Sequence, residues 1–315
     1  MPEKQISPEL IERLQSLQEK YDAMGQDMHA YLEGLQYANF LNYWDYIHLD
    51  TLLSLQQPRT DFPDEKVFII YHQITELYFN LVLWEMEQMA RETFTDQQWL
   101  SQKINRLICY YQQLVNSFDI MVEGMEKEQF RKFRMALLPS SGFQSVQYRK
   151  IELRATSLLN LLDPRQRHEV PANASVADLF PRLYWKTGAT ELATGKKTLT
   201  LSKFEEVYEN SLQELAKQMA EENLCAKIGR AWGWHQLTPS LTALLRQFDH
   251  QANVQWPLAH FKSAAKYLQQ SPDVISATGG TNWQAYLPPK LQLVMFFPDL
   301  WSEAEKSNWG KSFTL

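Results

Sequence analysis

Imidazole binds metals and moves protons near neutral pH, so the seven histidines are the first residues to weigh. They are His29, His48, His72, His168, His235, His250 and His260. None forms an HExxH pair or another tight metal-ligand spacing. By spacing alone, each is either a hydrogen-bonded structural residue or a lone ligand. Two cysteines, Cys109 and Cys225, stand without a CxxC partner, which argues against a zinc or dithiol site of that kind. Cys109 lies in an apolar helical stretch and is expected to be a buried small hydrophobe.

Two glycine-bearing turns can also carry chemistry. In Phe133-Arg134-Met135-Ala136-Leu137-Leu138-Pro139-Ser140-Ser141-Gly142-Phe143-Gln144-Ser145 a helix ends near Pro139, and a Ser-Ser-Gly turn leads into the next helix. Such a turn gathers backbone N–H groups and hydroxyls, and Gly142 permits close approach of a ligand. It is either a pocket wall with Arg134 as a carboxylate clamp or a helix corner with an ordinary surface arginine. The second turn is Ala277-Thr278-Gly279-Gly280-Thr281-Asn282-Trp283. It lacks the lysine and spacing of a phosphate loop, leaving a loop that folds over a ligand or a plain surface turn.

The elements that must position these residues read as helices. Ser7-Pro8-Glu9 supplies an N-cap, a first-turn proline and an acid at the positive end of the dipole. Leu10, Ile11, Leu14 and Leu17 follow at helical spacing. Residues 64–92 give the strongest helix, with Phe68, Ile69, His72, Glu76, Phe79 and Leu83 along one side. Thr95 with Gln98 predicts a capping box before Leu100, Ile104, Leu107 and Tyr111; Ser202 with Glu205 predicts another before Tyr208, Leu212 and Leu215. No segment combines strand alternation with turn chemistry. The reading is one all-α domain over residues 1–315, broken by an irregular insertion with short helices at about 163–200 and by loop chemistry at 271–290.

Composition sets limits. Hydrophobic residues are 44% and charged residues 22% of 315, ordinary for a globular chain. Aromatics reach 13%, enough for large flat contacts in a core or around a flat ligand. With a net charge of −6 and only short basic pairs, Arg131-Lys132 and Lys196-Lys197, no nucleic-acid partner is expected. The opening MPEKQISPEL holds no apolar signal core, and no run is long and apolar enough for a membrane span. The expectation is a cytoplasmic protein, in which the sequon Asn173-Ala174-Ser175 is accidental.

Four stretches, in order, resemble the tryptophan 2,3-dioxygenase family. The first runs Tyr43-Trp44-Asp45-Tyr46-Ile47-His48-Leu49-Asp50-Thr51-Leu52-Leu53, and the second Phe68-Ile69-Ile70-Tyr71-His72-Gln73-Ile74-Thr75-Glu76-Leu77. The third is Phe133-Arg134 through Pro139-Ser140-Ser141-Gly142-Phe143-Gln144-Ser145 with Gln147-Tyr148-Arg149, and the last is His260 followed by Thr278-Gly279-Gly280. PSSGFQS is the specific piece; the others gain weight in combination.

The resemblance implies an all-helical haem dioxygenase, assembled as a homotetramer, that cleaves the indole C2–C3 bond of L-tryptophan with O2 to give N-formyl-L-kynurenine. It implies haem b, ferrous in the active form, with His260 as the proximal iron ligand. His72 would be the catalytic residue on the distal side, accepting the indole N–H, and Phe68 would pack on the indole. Arg134 would hold the substrate carboxylate, and Thr278 the ammonium or carboxylate. Ser141 and Gly142 would lie near the haem edge. Tyr43, Tyr46 and Ile47 would come from a neighbouring subunit, on which the N-terminal helix, 7–35, would also pack. The sequence departs from the family pattern at Trp84, expected to be a packing position near the haem helix, at Leu138, and in a longer stretch between His260 and Thr278. A haem monooxygenase acting on a modified tryptophan or other indole is the alternative.

Overall fold

The computed structural model describes residues 6–38, 41–171, 173–190, 196–268, 284 and 287–311. Among these the architecture is helical, with no strand and only two isolated bridges, Leu162 with Leu183 and Thr190 with Lys197. No helix among them is long and apolar enough to cross a membrane. The chain divides into two compact units, Met1–Gln56 and Gln57–Leu315.

The first unit opens with α1 (Pro8–Ala23), where the Ser7 hydroxyl accepts the Leu10 N–H at 3.3 Å, the cap its sequence predicts. Asp27 caps α2 (Met28–Gln36) by accepting the His29 N–H at 2.9 Å. Short α3 (Tyr43–Tyr46) and α4 (Leu49–Ser54) follow. α1 buries no residue, and Leu10, Ile11, Leu17, Tyr31 and Leu35 stay exposed. Helices this short draw most of their stability from a buried apolar face, and this unit has almost none of its own.

The second unit is built on two long helices, α5 (Pro63–Arg91) and α6 (Gln97–Glu123). Pro63, Asp64 and Glu65 start α5 as its first-turn chemistry requires. The buried Glu65 carboxylate turns back to accept the backbone N–H groups of Arg59 and Thr60, both at 2.8 Å. Leu100, Ile104, Leu107, Tyr111 and Leu114 are wholly buried along one side of α6, as their spacing predicts. Next come α7 (Lys127–Phe133), α8 (Val146–Ala155), the short α9 (Val176–Leu179) and α10 (Tyr184–Gly188), α11 (Leu199–Gln218) and α12 (Leu224–Trp232). Between residues 163 and 200, Phe180, Leu183 and Trp185 enter the main core at 1–2% exposure, so this irregular segment contributes packing.

α13 (Pro239–His250) passes through a π-turn, Gln251–Gln255, into α14 (Trp256–Leu268). Asp249, fully buried at the end of α13, accepts from the Phe296 and Phe297 N–H groups, the Trp301 indole and the Asn253 amide. It ties the C-terminal segment to this helix. Burial raises the Asp249 pKa, and the four donors act against that rise.

Four sequence expectations need correction. The α6 cap is Asp96, which accepts the Gln98 N–H at 2.7 Å, so the helix starts one residue beyond the predicted Thr95 cap. α11 begins a turn earlier than Ser202 because Thr198 caps it, accepting from Leu201 while donating to the Ala189 carbonyl. Cys109 is exposed, since it falls off the α6 face that carries Leu107, Ile108 and Tyr111. Trp84 is 54% exposed rather than packed, because it lies on the outer face of α5.

Candidate active site

Phe68 and His72 lie one turn apart on α5, so their side chains share a face. Their ring centroids are 4.0 Å apart. The Phe68 carbonyl can only accept, so the 2.7 Å contact fixes the proton on His72 Nδ1, which donates. In the neutral ring, Nε2 is then an acceptor. His72 keeps accessible surface, yet protein surrounds it closely enough that burial lowers its pKa. The Phe68 carbonyl and Glu76 partly oppose that shift. The neutral form is thereby favoured.

Apolar rings wall this place. Phe68 stands 6.0 Å from Phe130 and 5.8 Å from Phe133, whose own centroids are 5.5 Å apart. A chain of rings runs from His72 to Tyr71 at 5.4 Å, on to Phe118 at 5.6 Å, and to His260 at 5.9 Å. Phe118, from α6, stacks on the His260 imidazole at an interplanar angle of 21°.

Arg134 follows Phe133 directly and opens a 3₁₀ turn, Arg134–Leu137. It is only 6% exposed, which settles the choice between surface arginine and buried cation. Burial lowers its pKa, and the nearby Arg131 adds to that. A buried guanidinium beside a second cation favours an anion.

The Ser-Ser-Gly turn is stapled by Gln144. Its side-chain oxygen accepts the Ser141 N–H at 2.9 Å, and its amide donates to the Thr200 carbonyl of α11 at 3.0 Å. The turn thereby sets Gly142 against His260. A Cβ on Gly142 would stand 3.0 Å from His260 Cε1 and 3.6 Å from Nε2. Glycine keeps the nitrogen edge of this imidazole clear. His260 is deeply surrounded, which drops its pKa to about 4, with His72 as a smaller cause. It is a neutral nitrogen donor.

These features fit a haem. Among the described residues no cluster of three or more His, Cys, Asp or Glu side chains offers a bare metal ion a ligand set. A porphyrin brings four nitrogens of its own and asks the protein for one axial imidazole. A neutral His260, stacked on Phe118 and guarded by a glycine, has the right donor chemistry in an apolar setting.

A family model described as tryptophan 2,3-dioxygenase matches residues 34–206. A tryptophan 2,3-dioxygenase of Ruegeria sp. (strain TM1040) is 30% identical over 275 residues, 84% of this chain and 92% of the relative. The chain belongs to the tryptophan 2,3-dioxygenase family. The tryptophan 2,3-dioxygenase of Polaromonas naphthalenivorans (strain CJ2) is 28% identical over 270 residues, with 85% of this chain and 92% of its own length covered. That of Exiguobacterium sibiricum is 28% identical over 273 residues, with 84% and 92% covered.

Within this tryptophan 2,3-dioxygenase family member, Phe68, His72, Gly142 and His260 come together, with Arg134 beside the Phe133 wall. Tyr43, Tyr46 and Ile47 belong to the first compact unit, where Tyr43 and Tyr46 are more than 70% exposed. Thr278, Gly279 and Gly280 lie outside the described residues. Sequence reasoning did not single out Phe118, Tyr71 or the π-turn before His260. Pro257, inside a helical pattern, was the available signal for the turn.

Proposed function

We propose that this chain cleaves the indole C2–C3 bond of L-tryptophan with O2, giving N-formyl-L-kynurenine, with haem b held by His260. The observation that carries this reading is a pair of neutral imidazoles, linked through Tyr71 and Phe118, that have different roles. His72 has Nδ1 committed to the Phe68 carbonyl and Nε2 left to accept. His260 is a neutral donor whose imidazole edge lies against Gly142.

Ferrous haem, when bound, supplies the binding and activation of O2. The protein binds, orients and excludes water. His72 Nε2 accepts the indole N–H while Nδ1 keeps its proton, which fixes the ring edge. Phe68 packs on the indole face, and Phe130 and Phe133 back it. Arg134 clamps the carboxylate by a charge-assisted pair worth ~1.5–3 kcal/mol. Thr278, outside the described residues, is assigned to the ammonium or carboxylate on the family resemblance alone. Ser141 and Gly142 would line the haem site.

The assembly is proposed to be a homotetramer, in which the N-terminal helix, 7–35, packs on a neighbouring copy and Tyr43, Tyr46 and Ile47 complete that copy's pocket. Two features support this. Among its described residues the first unit buries only Met28, and α5 carries an exposed apolar stripe of Ile70, Leu77, Leu81 and Trp84. A ferrous cofactor and two free cysteines suit the reducing cytoplasm, where we place the enzyme.

The test is anaerobic reduction of haem-loaded protein, then L-tryptophan and O2, then product mass. A product heavier by two oxygen atoms is expected. One oxygen atom would identify a monooxygenase, and haem without turnover of any indole would end the enzymatic reading. His260→Ala should lose stable haem binding.

A further inference from the structure

The helix that carries His260 contains a broken ladder. Trp256 N–H donates to the Gln251 carbonyl, five residues back, which is the π pattern. The Ala252 carbonyl is therefore denied its α partner, the N–H of Trp256. Its π partner would be the N–H of residue 257, and that residue is proline. Proline has no N–H, and its ring clashes with the carbonyl four residues back in a regular α-helix. Within this turn Pro257 thus accounts for the orphaned carbonyl. An unmet buried carbonyl is costly, and Ala252 is fully buried.

The orphan is met from another helix. The Tyr148 hydroxyl of α8 donates to the Ala252 carbonyl at 3.2 Å. Tyr148 is itself buried, with its ring 5.3 Å from Phe79 of α5. Two neighbours hold the rest of the turn: Gln251 donates to Gln112 of α6 at 3.0 Å, and Asn253 donates to Asp249 at 2.8 Å. The extra residue of a π-turn rotates everything downstream by roughly 100° about the helix axis. His260 lies downstream, five residues beyond Gln255.

We propose that Tyr148 is a positioning residue for His260: its hydroxyl satisfies the carbonyl that Pro257 leaves unpaired, and so holds the π-turn that aims the imidazole. The part concerning haem rests on the reading of His260 as the axial ligand. The part concerning the turn does not.

The experiment therefore has two arms, with Tyr148→Phe, Pro257→Ala and the double variant. In haem-free protein, amide exchange across residues 253–262 is followed by mass spectrometry. Tyr148→Phe should speed it about fivefold or more, as expected for loss of one buried hydrogen bond. Pro257→Ala restores an N–H that can reach the Ala252 carbonyl, so the double variant should exchange much more slowly than Tyr148→Phe alone. Unchanged exchange in Tyr148→Phe, or no rescue by Pro257→Ala, overturns the proposal. In haem-loaded protein, transfer of haem to a scavenging apoglobin should be roughly tenfold faster for Tyr148→Phe, with rescue in the double variant. Equal transfer rates in wild type and Tyr148→Phe overturn the link to His260. If His260→Ala keeps haem like the wild type, the ligand reading fails, and the exchange arm still decides the role of Tyr148.

Discussion

Gly142 meets His260 so closely that a methyl group on the glycine would stand 3.0 Å from the imidazole Cε1. Gly142 does not have the left-handed backbone that would itself demand glycine. The need is for space. Gly142→Ala should therefore fold with nearly wild-type thermal stability yet bind haem at least several-fold more weakly, with a displaced Soret band. Haem titration beside a melting curve checks this. Wild-type affinity in the alanine variant would show that the glycine does not guard the iron ligand.

The proton on His72 Nδ1 leads to a pH dependence. Burial lowers the His72 pKa from its usual 6.5. The neutral acceptor is fully present above the folded pKa and is lost as pH falls through it. The acid limb of kcat/KM for L-tryptophan should then lie below pH 6.5, and His72→Asn should remove it. A limb centred above 6.5, or one unchanged in His72→Asn, would take the proton assignment away from this residue.

Arg134→Leu removes the buried cation from the wall beside Phe133. Loss of the carboxylate pair should cost roughly ten- to a hundredfold in kcat/KM for L-tryptophan. Tryptamine, which has no carboxylate, should lose far less. Steady-state kinetics with both substrates checks the contrast. Discrimination kept as in the wild type would sink the clamp.

How much of this was legible beforehand depends on the kind of information each residue carries. The faces of α5 and α6 follow from apolar spacing, because burial of a stripe leaves a period in the sequence; Leu100, Ile104, Leu107 and Tyr111 are buried as that period demands. Caps were less legible, since Thr95 and Asp96 are both able to cap and only backbone geometry chooses between them. The burial of Arg134 was open for a similar reason: it depends on what packs from other helices. His260 has no motif around it, and the family resemblance alone singled it out. The π-turn was visible only through Pro257, a residue that kinks, breaks or bulges a helix depending on who satisfies the freed carbonyl. Here the partner comes from α8, over a hundred positions away in the chain.

The outer face of α5 supplies the last prediction. Ile70, Leu77 and Trp84 recur every seven residues, Leu81 falls between them, and all four are exposed. A stripe at this spacing is the seam along which helices pair, and exposed apolar area of this kind marks an association surface. It lies on the side of α5 away from buried Tyr71, Phe79, Val82 and Met86, so charges placed there leave the core untouched. Leu77→Glu with Trp84→Lys should thus preserve helicity and monomer melting while moving the mass in solution from the proposed tetramer toward smaller species. Light scattering coupled to size exclusion reads the shift. A double variant that elutes and scatters as the wild type does would mean that copies of this chain associate through some other face.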